Sequence, residues 1–342
     1  MKIKLGVIGA GKISQVRHLP EAKSNPQVDL RGICDAVEDR AEALSELYDC
    51  KAYTDYHEML QDGEFDAIVV AATNATHARM TIDALNAGSH VLCEKPMATT
   101  LEDAQKMIRA AEKNGKQLMI GHNQRLEIVH QKARDILQSG RLGKVLSFTT
   151  TFGHQGADFW AIDAEKTWFF KKDDAGLGVL GDLAIHKLDL IRWLLDDDFT
   201  QVCAFSDSLS KTYPNGQLID VEDNAVGILR TQKGAIGTLT VSWSYKKENN
   251  SSTIYCQEGI LEIFTHPDFP LVINYDHEHS EYHQLGKKST NIEQLNSGVM
   301  DAFIGALVEN RSVPIPGIEG YKTLEAVLAC QRSAETGQVV TL

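Results

Sequence analysis

The sequence predicts an α/β protein in two parts: a parallel, helix-flanked sheet over residues 1–121, then a second α/β domain over residues 122–342 built on a large, mostly antiparallel open sheet. Three observations carry this. Up to Gly121, short apolar runs alternate with helix-length stretches, as in a sheet with helices on its faces. The first apolar run ends in Gly9-Ala10-Gly11, a turn that leads a strand into a helix. Beyond Gly121, apolar and polar residues alternate with a period of two. A chain of 342 residues is too long for one ordinary domain and suits two.

In the first part, strands are expected at residues 3–8, 30–34, 67–72, 91–94 and 117–121, with helices at 13–23, 37–48, 76–87 and 101–114 between them. The last of these helices opens on Thr99-x-x-Glu102, a capping-box pattern, and Gly115 ends it; Gly88 ends the helix before it. Residues 124–139 read as one further helix, closed by Gly140. Residues 145–152 then set Phe148, Thr150 and Phe152 against Ser147, Thr149 and Thr151. Residues 235–244 set Leu239, Val241 and Trp243 against Thr238, Thr240 and Ser242, so each strand has one buried face. More strands are expected at 202–206, 225–230, 253–256, 260–264 and 271–275, and helices near 292–309 and 320–335 close the chain. One sheet face carries Thr and Ser in place of large apolar groups. It is either solvated surface, which antiparallel sheets permit, or a self-association face.

Charge excludes some functions. With 34 basic and 47 acidic side chains the net charge is −13, the wrong sign for a nucleic-acid or anionic-membrane surface. The first residues read as a strand and not as a signal peptide, and no run approaches the ~18 apolar residues of a membrane helix, so a cytoplasmic location is expected. Cys34, Cys50, Cys93, Cys203, Cys256 and Cys330 form no C-x-x-C pair and read as reduced core thiols. Asp276-His277-x-His279-x-x-x-His283 reads as a solvated edge hairpin, and no metal is expected.

The chemistry concentrates in three motifs. Gly9-Ala10-Gly11-Lys12-Ile13-Ser14 fits the first two positions of G-x-G-x-x-G, with Ser14 at the third. Gly9 permits the tight turn, and Gly11 lets the backbone approach a pyrophosphate at the helix N-terminus. Asp35 ends the second strand, where a carboxylate accepts ribose hydroxyls and repels a 2′-phosphate. NAD is therefore favoured, with NADP possible because Arg40 is close by. Lys95, in Glu94-Lys95-Pro96, leaves a later strand of the same sheet, and ligands of such sheets bind outside the strands' carboxyl ends. That convergence suggests a redox enzyme. The third motif runs from Gly176 to Asp189. A helix would align Asp182, His186 and Asp189 on one face, the carboxylate orienting the imidazole as a general base requires; the alternative is a polar surface stripe.

Taken together in this order, the Gly-x-Gly start, Thr73-Asn74-x-x-His77, Glu94-Lys95-Pro96 and Gly-x-x-x-Asp182-x-x-x-His186-x-x-Asp189 resemble the glucose–fructose oxidoreductase / inositol dehydrogenase (Gfo/Idh/MocA) family. The resemblance implies a Rossmann domain followed by an open-sheet α/β domain, and oxidation or reduction of one carbon of a sugar, cyclitol or related compound with NAD or NADP. It implies pairing through the sheet as a homodimer or homotetramer. It implies that Lys95 holds the reacting oxygen, that His186 takes or gives the proton, and that Asp182 orients His186 and touches substrate. A lysine and a histidine side by side would lower each other's pKa, which suits proton transfer near neutral pH. It further implies that Thr73, Asn74 and His77 line the dinucleotide, that Glu94 and Lys95 lie near its ribose and nicotinamide, and that Asn123 and Arg125 border the site.

Substrate specificity is expected in residues 154–178, where Phe159, Trp160, Trp168, Phe169 and Phe170 are interleaved with Asp158, Asp163 and Lys171. Aromatic faces with polar groups suit a sugar ring, although all but Trp168 serve equally well as core. Two other readings stand beside the oxidoreductase: a glycosidase that uses tightly held NAD for transient oxidation, and a non-catalytic NAD(P)-binding sensor. The sensor reading predicts loss of the lysine or the histidine, and both are present.

Overall fold

The computed structural model describes residues 2–286 and 296–342. The chain divides into two compact units: Met1–Asn123 with Asp173–Ala175 and Asn291–Leu324, and Gln124–Lys172 with Gly176–Thr290 and Glu325–Leu342.

The first unit is a six-stranded parallel sheet. Its strands are β1 (Ile3–Ile8), β2 (Val28–Cys34), β3 (Lys51–Tyr53), β4 (Ala67–Val70), β5 (His90–Cys93) and β6 (Leu118–Ile120), in the spatial order β3-β2-β1-β4-β5-β6. β4 and β5 read as unbroken apolar runs because helices cover both faces of a parallel sheet, and Ile68, Val69, Val91 and Leu92 are fully buried. Strand order reverses between β1 and β4. The turns leaving β1, β2, β4 and β5 carry Gly9, Asp35, Thr73 and Glu94 along one edge.

Three local expectations are corrected. The edge strand β3 and the helix Tyr56–Asp62 were not anticipated, because Lys51-Ala52-Tyr53 presents no apolar run. The helix Leu101–Asn114 is capped by Thr100, whose hydroxyl accepts the Asp103 amide at 3.1 Å, one residue later than the Thr99/Glu102 box. The expected single helix at 13–23 is a π-turn, Ser14–His18, running into a short α-helix, Leu19–Ser24.

The first compact unit runs to Asn123, and the chain later returns to it. The returning segment is tied by specific polar contacts. Glu21 accepts the Ser297 and Met300 amides at 2.7 and 3.3 Å, satisfying the start of the helix Val299–Val308. Asn25 donates to Asp301 at 2.7 Å, and the Ile120 amide donates to the Ile315 carbonyl at 2.9 Å. Residues 292–295 of the helix expected near 292–309 lie outside the described residues.

The second unit holds a nine-stranded sheet. Its strands are β7 (Val145–Gly153), β8 (Phe199–Asp207), β9 (Asn224–Thr231), β10 (Ile236–Ser242), β11 (Ser252–Cys256), β12 (Gly259–Ile263), β13 (Leu271–Asn274), β14 (Ser280–His283) and β15 (Val340–Thr341). Their order is β14-β13-β12-β11-β7-β10-β9-β8-β15, antiparallel throughout except for β7 beside β10. The inner face packs Phe148, Leu239, Val241, Trp243 and Ile254 against Leu188, Ile191 and Leu194 of the helix Ile185–Leu195. The alternation read from the sequence is present: Phe148, Thr150 and Phe152 are buried and Thr149 is exposed.

The opposite face is more apolar than the Thr and Ser of β7 and β10 suggest. Cross-strand register sets Cys203, Ile228, Thr238, Thr149 and Thr253 in one row, and Phe205, Val226, Thr240 and Thr151 in the next. Phe205, Val226 and Ile228 are exposed. Among the described residues no helix is long and apolar enough to cross a membrane.

Candidate active site

In the first unit, the glycine loop is built by sterics. Gly9 has φ +92°, and a Cβ there would lie 2.5 Å from the Ala71 carbonyl oxygen, so only glycine lets β1 turn so close to β4. A Cβ on Gly11 would meet no protein atom within 4 Å, so that side of the loop is open to a ligand. Ser14, at the third motif position, donates to the Gly9 carbonyl at 2.5 Å and locks the loop onto the following turn. Lys12 and Ile13 are partly exposed between the glycines and that turn. Asp35 accepts the Ala10 amide at 2.8 Å through Oδ2 and the Val37 amide at 2.9 Å through Oδ1. Arg40 reaches the same carboxylate at 3.2 Å. An open glycine turn at a helix start with a carboxylate at the next strand end fits a dinucleotide.

Other expected cofactor residues are partly committed to the protein. Thr73 precedes the helix Asn74–Asn86, and the Asn74 side chain donates through Nδ2 to the Ala175 carbonyl at 3.0 Å. The buried His77 ring lies 2.9 Å from the Pro96 carbonyl by Nδ1 and 3.2 Å from the Ala72 carbonyl by Nε2. Burial lowers its pKa, so the ring is neutral and donates to one of them. His77 thus braces the turn after Lys95. Asn123 is buried in the 3₁₀ turn Asn123–Leu126.

Glu94 is 4% exposed and held by the protein. Its Oε1 lies 2.9 Å from His18 Nε2 and 3.5 Å from Arg17 Nη1, and its Oε2 accepts the Lys95 amide at 3.1 Å. Burial pushes its pKa up, but the hydrogen bond and charge of His18, with the charges of Arg17 and Lys95, outweigh it and bring the pKa down to about 2. The stability this anion contributes is present above the ordinary value of 4.5 and is lost as pH falls from there towards about 2. Urea unfolding of the wild type and Glu94→Gln is expected to differ most near neutrality, the gap narrowing on acidification. A gap independent of pH would contradict this assignment. Lys95 itself is half-buried, with its backbone fixed by that Glu94 bond.

In the second unit, the motif from Gly176 to Asp189 is a π-turn, Leu180–Ala184, continuing into the helix Ile185–Leu195. The single α-helix expected through Asp182, His186 and Asp189 is therefore a π-turn followed by an α-helix, which changes the residue spacing across their junction. The glycines serve the protein's own packing: a Cβ on Gly178 would overlap the Glu222 carbonyl oxygen. Glu222 accepts the Gly178 and Leu180 amides at 2.9 and 3.0 Å, capping the turn. Asp182 is buried and accepts the Trp243 indole N–H at 3.0 Å. His186 is half-buried, its ring centroid 6.0 Å from that of Phe152. Asp189 and Arg125 form a buried fork, Nε to Oδ2 at 2.8 Å and Nη2 to Oδ1 at 2.6 Å. Arg125, expected at the substrate, is committed at these two nitrogens.

The aromatic segment is organised around Trp168. Its ring stacks on Phe169 at 3.9 Å, Phe169 meets Trp160 and Trp243 edge-on, and Phe170 lies 6.0 Å from Trp243. A continuous run of rings thus leads from Trp168 to the indole that holds Asp182. Sequence reasoning missed Trp243, Glu222, Arg17 and His18. Trp243 sits at a buried strand position where an apolar role is the default, and the others act through contacts with no local signature. Among the described residues no group of three His, Cys, Asp or Glu side chains is placed to hold a metal ion.

Comparison with known proteins agrees with this layout. The model of the Gfo/Idh/MocA oxidoreductase family, NAD-binding Rossmann fold, matches residues 3–122, and that of the Gfo/Idh/MocA C-terminal domain matches residues 130–262. The chain belongs to the Gfo/Idh/MocA oxidoreductase family. Its relatives in the family include the 1,5-anhydro-D-fructose reductase of Ensifer adhaerens, 29% identical over 85% of this chain and 84% of that one. An inositol 2-dehydrogenase of Salmonella typhimurium is 31% identical over 65% of this chain and 64% of its own length. Among solved structures, GenD2 from gentamicin A biosynthesis, in complex with NAD, superposes with a TM-score of 0.85 at 26% identity, covering 100% of this chain and 96% of that one.

Proposed function

We propose that this protein is an NAD(P)-dependent dehydrogenase or reductase acting on a CH–OH carbon of a sugar, cyclitol or related polyol. The observation that carries the reading is that a chain of this family carries all three side chains proposed to handle the proton, Lys95 in the first unit and Asp182 and His186 in the second. The names of the reductase and inositol dehydrogenase relatives favour the substrate class. When bound, the nicotinamide supplies or accepts the hydride.

In this reading the Lys95 ammonium hydrogen-bonds the reacting oxygen and stabilises negative charge developing there. His186 takes the hydroxyl proton in oxidation and returns it in reduction. Asp182, held by Trp243, presents its carboxylate to His186 and to substrate hydroxyls. Trp168, stacked on Phe169, offers a flat apolar face to a sugar ring. Gly9, Ala10, Gly11, Lys12 and Ile13 receive the pyrophosphate, and Asp35 receives the adenosine ribose. The test is nicotinamide absorbance with NAD and NADP separately, across cyclitols, aldoses and anhydro-sugars in both directions. Cofactor turnover with at least one compound is expected. NADH binding with no turnover in either direction would overturn the reading.

NAD is the preferred cofactor here, because the Asp35 carboxylate repels a 2′-phosphate. Asp35→Ser releases Arg40 and is expected to raise the NADP/NAD ratio of kcat/KM by roughly tenfold or more. An unchanged ratio would remove Asp35 from the selectivity.

The open sheet face is proposed to pair copies of the chain. Light scattering is expected to give a dimer or tetramer for the wild type and a monomer for Val226→Glu/Ile228→Lys, whose charges would be buried at such an interface. A wild-type monomer would refute the pairing.

A further inference from the structure

We propose that Arg17 and His18 are positioning residues for Lys95, acting through Glu94 and presented by the π-turn that follows the glycine loop. The inference rests on Lys95 acting on substrate as proposed above.

Four observations converge. First, π-turns are rare, occur mostly as single turns within α-helices and are frequent at functional positions, and this one, Ser14–His18, begins two residues after Lys12. Second, its two consecutive residues Arg17 and His18 both reach one carboxylate oxygen, Glu94 Oε1, at 3.5 and 2.9 Å. Neighbouring residues of an ordinary α-helix diverge by about 100°, which makes a shared target unusual. Third, the other oxygen of Glu94 accepts the Lys95 amide at 3.1 Å, so the carboxylate folds back over the peptide that sets where the lysine side chain departs. Fourth, Gly121 backs this carboxylate: a Cβ there would stand 3.1 Å from its carboxyl carbon, so a glycine at the end of β6 makes the room.

The network has a direction. Ser14 opens the same π-turn and is bonded to Gly9, so the glycine loop, the turn, Glu94 and Lys95 form one chain of direct contacts. On the far side of Lys95, the Pro96 carbonyl is braced by His77. The lysine therefore leaves a segment held at both flanks, and its ammonium sits in the field of the Glu94 anion. Loss of His18 or of the Glu94 charge would leave the glycine loop intact while freeing the backbone at Lys95.

The experiment compares the wild type, His18→Leu, His18→Gln, Glu94→Gln and Lys95→Met as full chains. Three quantities are read: NADH affinity by fluorescence, kcat on the best compound of the panel, and the acetylation rate of Lys95 without cofactor, by peptide mass spectrometry. His18→Leu and Glu94→Gln are expected to lower kcat by about 10- to 100-fold with NADH affinity nearly unchanged. They are also expected to change Lys95 acetylation by about threefold or more. His18→Gln, which keeps a donor near the Nε2 position, is expected to recover most of both. Wild-type kcat and acetylation in Glu94→Gln would overturn the proposal, as would parallel loss of NADH binding and kcat without rescue by glutamine. If His18→Leu does not fold, the near-isosteric Glu94→Gln decides. Full turnover by Lys95→Met would instead sink the catalytic reading, while the acetylation rates would still report whether His18 and Glu94 govern the lysine.

Discussion

Lys95→Ala is expected to lower kcat by about a thousandfold, and His186→Ala by a similar factor, with NADH affinity nearly unchanged in both. The contribution proposed for the lysine is differential. A hydroxyl or carbonyl oxygen needs little from an ammonium in the ground state, but the oxygen gains negative charge as the reaction proceeds. The loss should therefore appear in kcat more than in KM. In the proposed reaction His186 takes or gives the proton of this oxygen, so its removal would fall on the same step, and the double variant should lose much less than the product of the single losses. Steady-state kinetics with a true substrate and fluorescence titration with NADH measure these quantities. Near-normal kcat in either single variant would show that another group does the chemistry.

Arg125→Met is expected to destabilise the second unit by about 3–5 kcal/mol, because it leaves the Asp189 carboxylate buried without its guanidinium. Both partners are nearly inaccessible, at 5% and 1% side-chain exposure, so water does not replace the lost bonds. Arg125→Met/Asp189→Leu should recover much of the loss, since two apolar groups leave no buried charge. Urea unfolding followed by tryptophan fluorescence is suited to this, as Trp160, Trp168, Trp193 and Trp243 all belong to the second unit. A midpoint unchanged in Arg125→Met would mean that the fork carries no stability. The helix anchored by Asp189 also carries His186 one turn earlier, so residual activity per folded molecule should fall as well.

These two predictions show which parts of the site are legible in a sequence. Lys95 and His186 stand in dense local motifs, and Gly9 is demanded by a turn that any strand-to-helix crossing of this kind requires. Strand positions such as Phe148 and Leu239 announce themselves by period, because burial of one sheet face imposes it locally. The resemblance places Arg125 at the border of the site, but its ion-pair partner Asp189 lies on a helix far along the chain and has no local signature beside it. The motif of Glu94 is local, but the Arg17 and His18 that hold its carboxylate lie in the turn after the first strand, far from it in sequence. The return of residues 296–324 to the first unit was hidden for the same reason: Glu21 capping a distant helix leaves no trace in the spacing of either segment. The π-turns were invisible because a one-residue widening does not disturb an apolar pattern already broken by glycines.

The parallel pairing of β7 with β10 sets the order in which the second sheet can assemble. β8, β9 and β10 follow one another as a meander, and so do β11, β12, β13 and β14, so both sets pair strands that are consecutive in the chain, the longest connection being that from Asp207 to Asn224. β7 is the seam between them, with Ser147 in register with Ile236 roughly ninety residues later and Thr150 opposite Ser252. It is synthesised before either meander, yet both of its edges stay unpaired until they exist. Closing loops of that length is the slow step in forming such topologies. The nascent chain thus exposes an alternating Phe-Thr strand while the ribosome adds the next hundred or so residues. Refolding of the second unit should accordingly be limited by docking of β7, and substitutions at Phe148 or Thr150 should slow refolding at least as much as they speed unfolding.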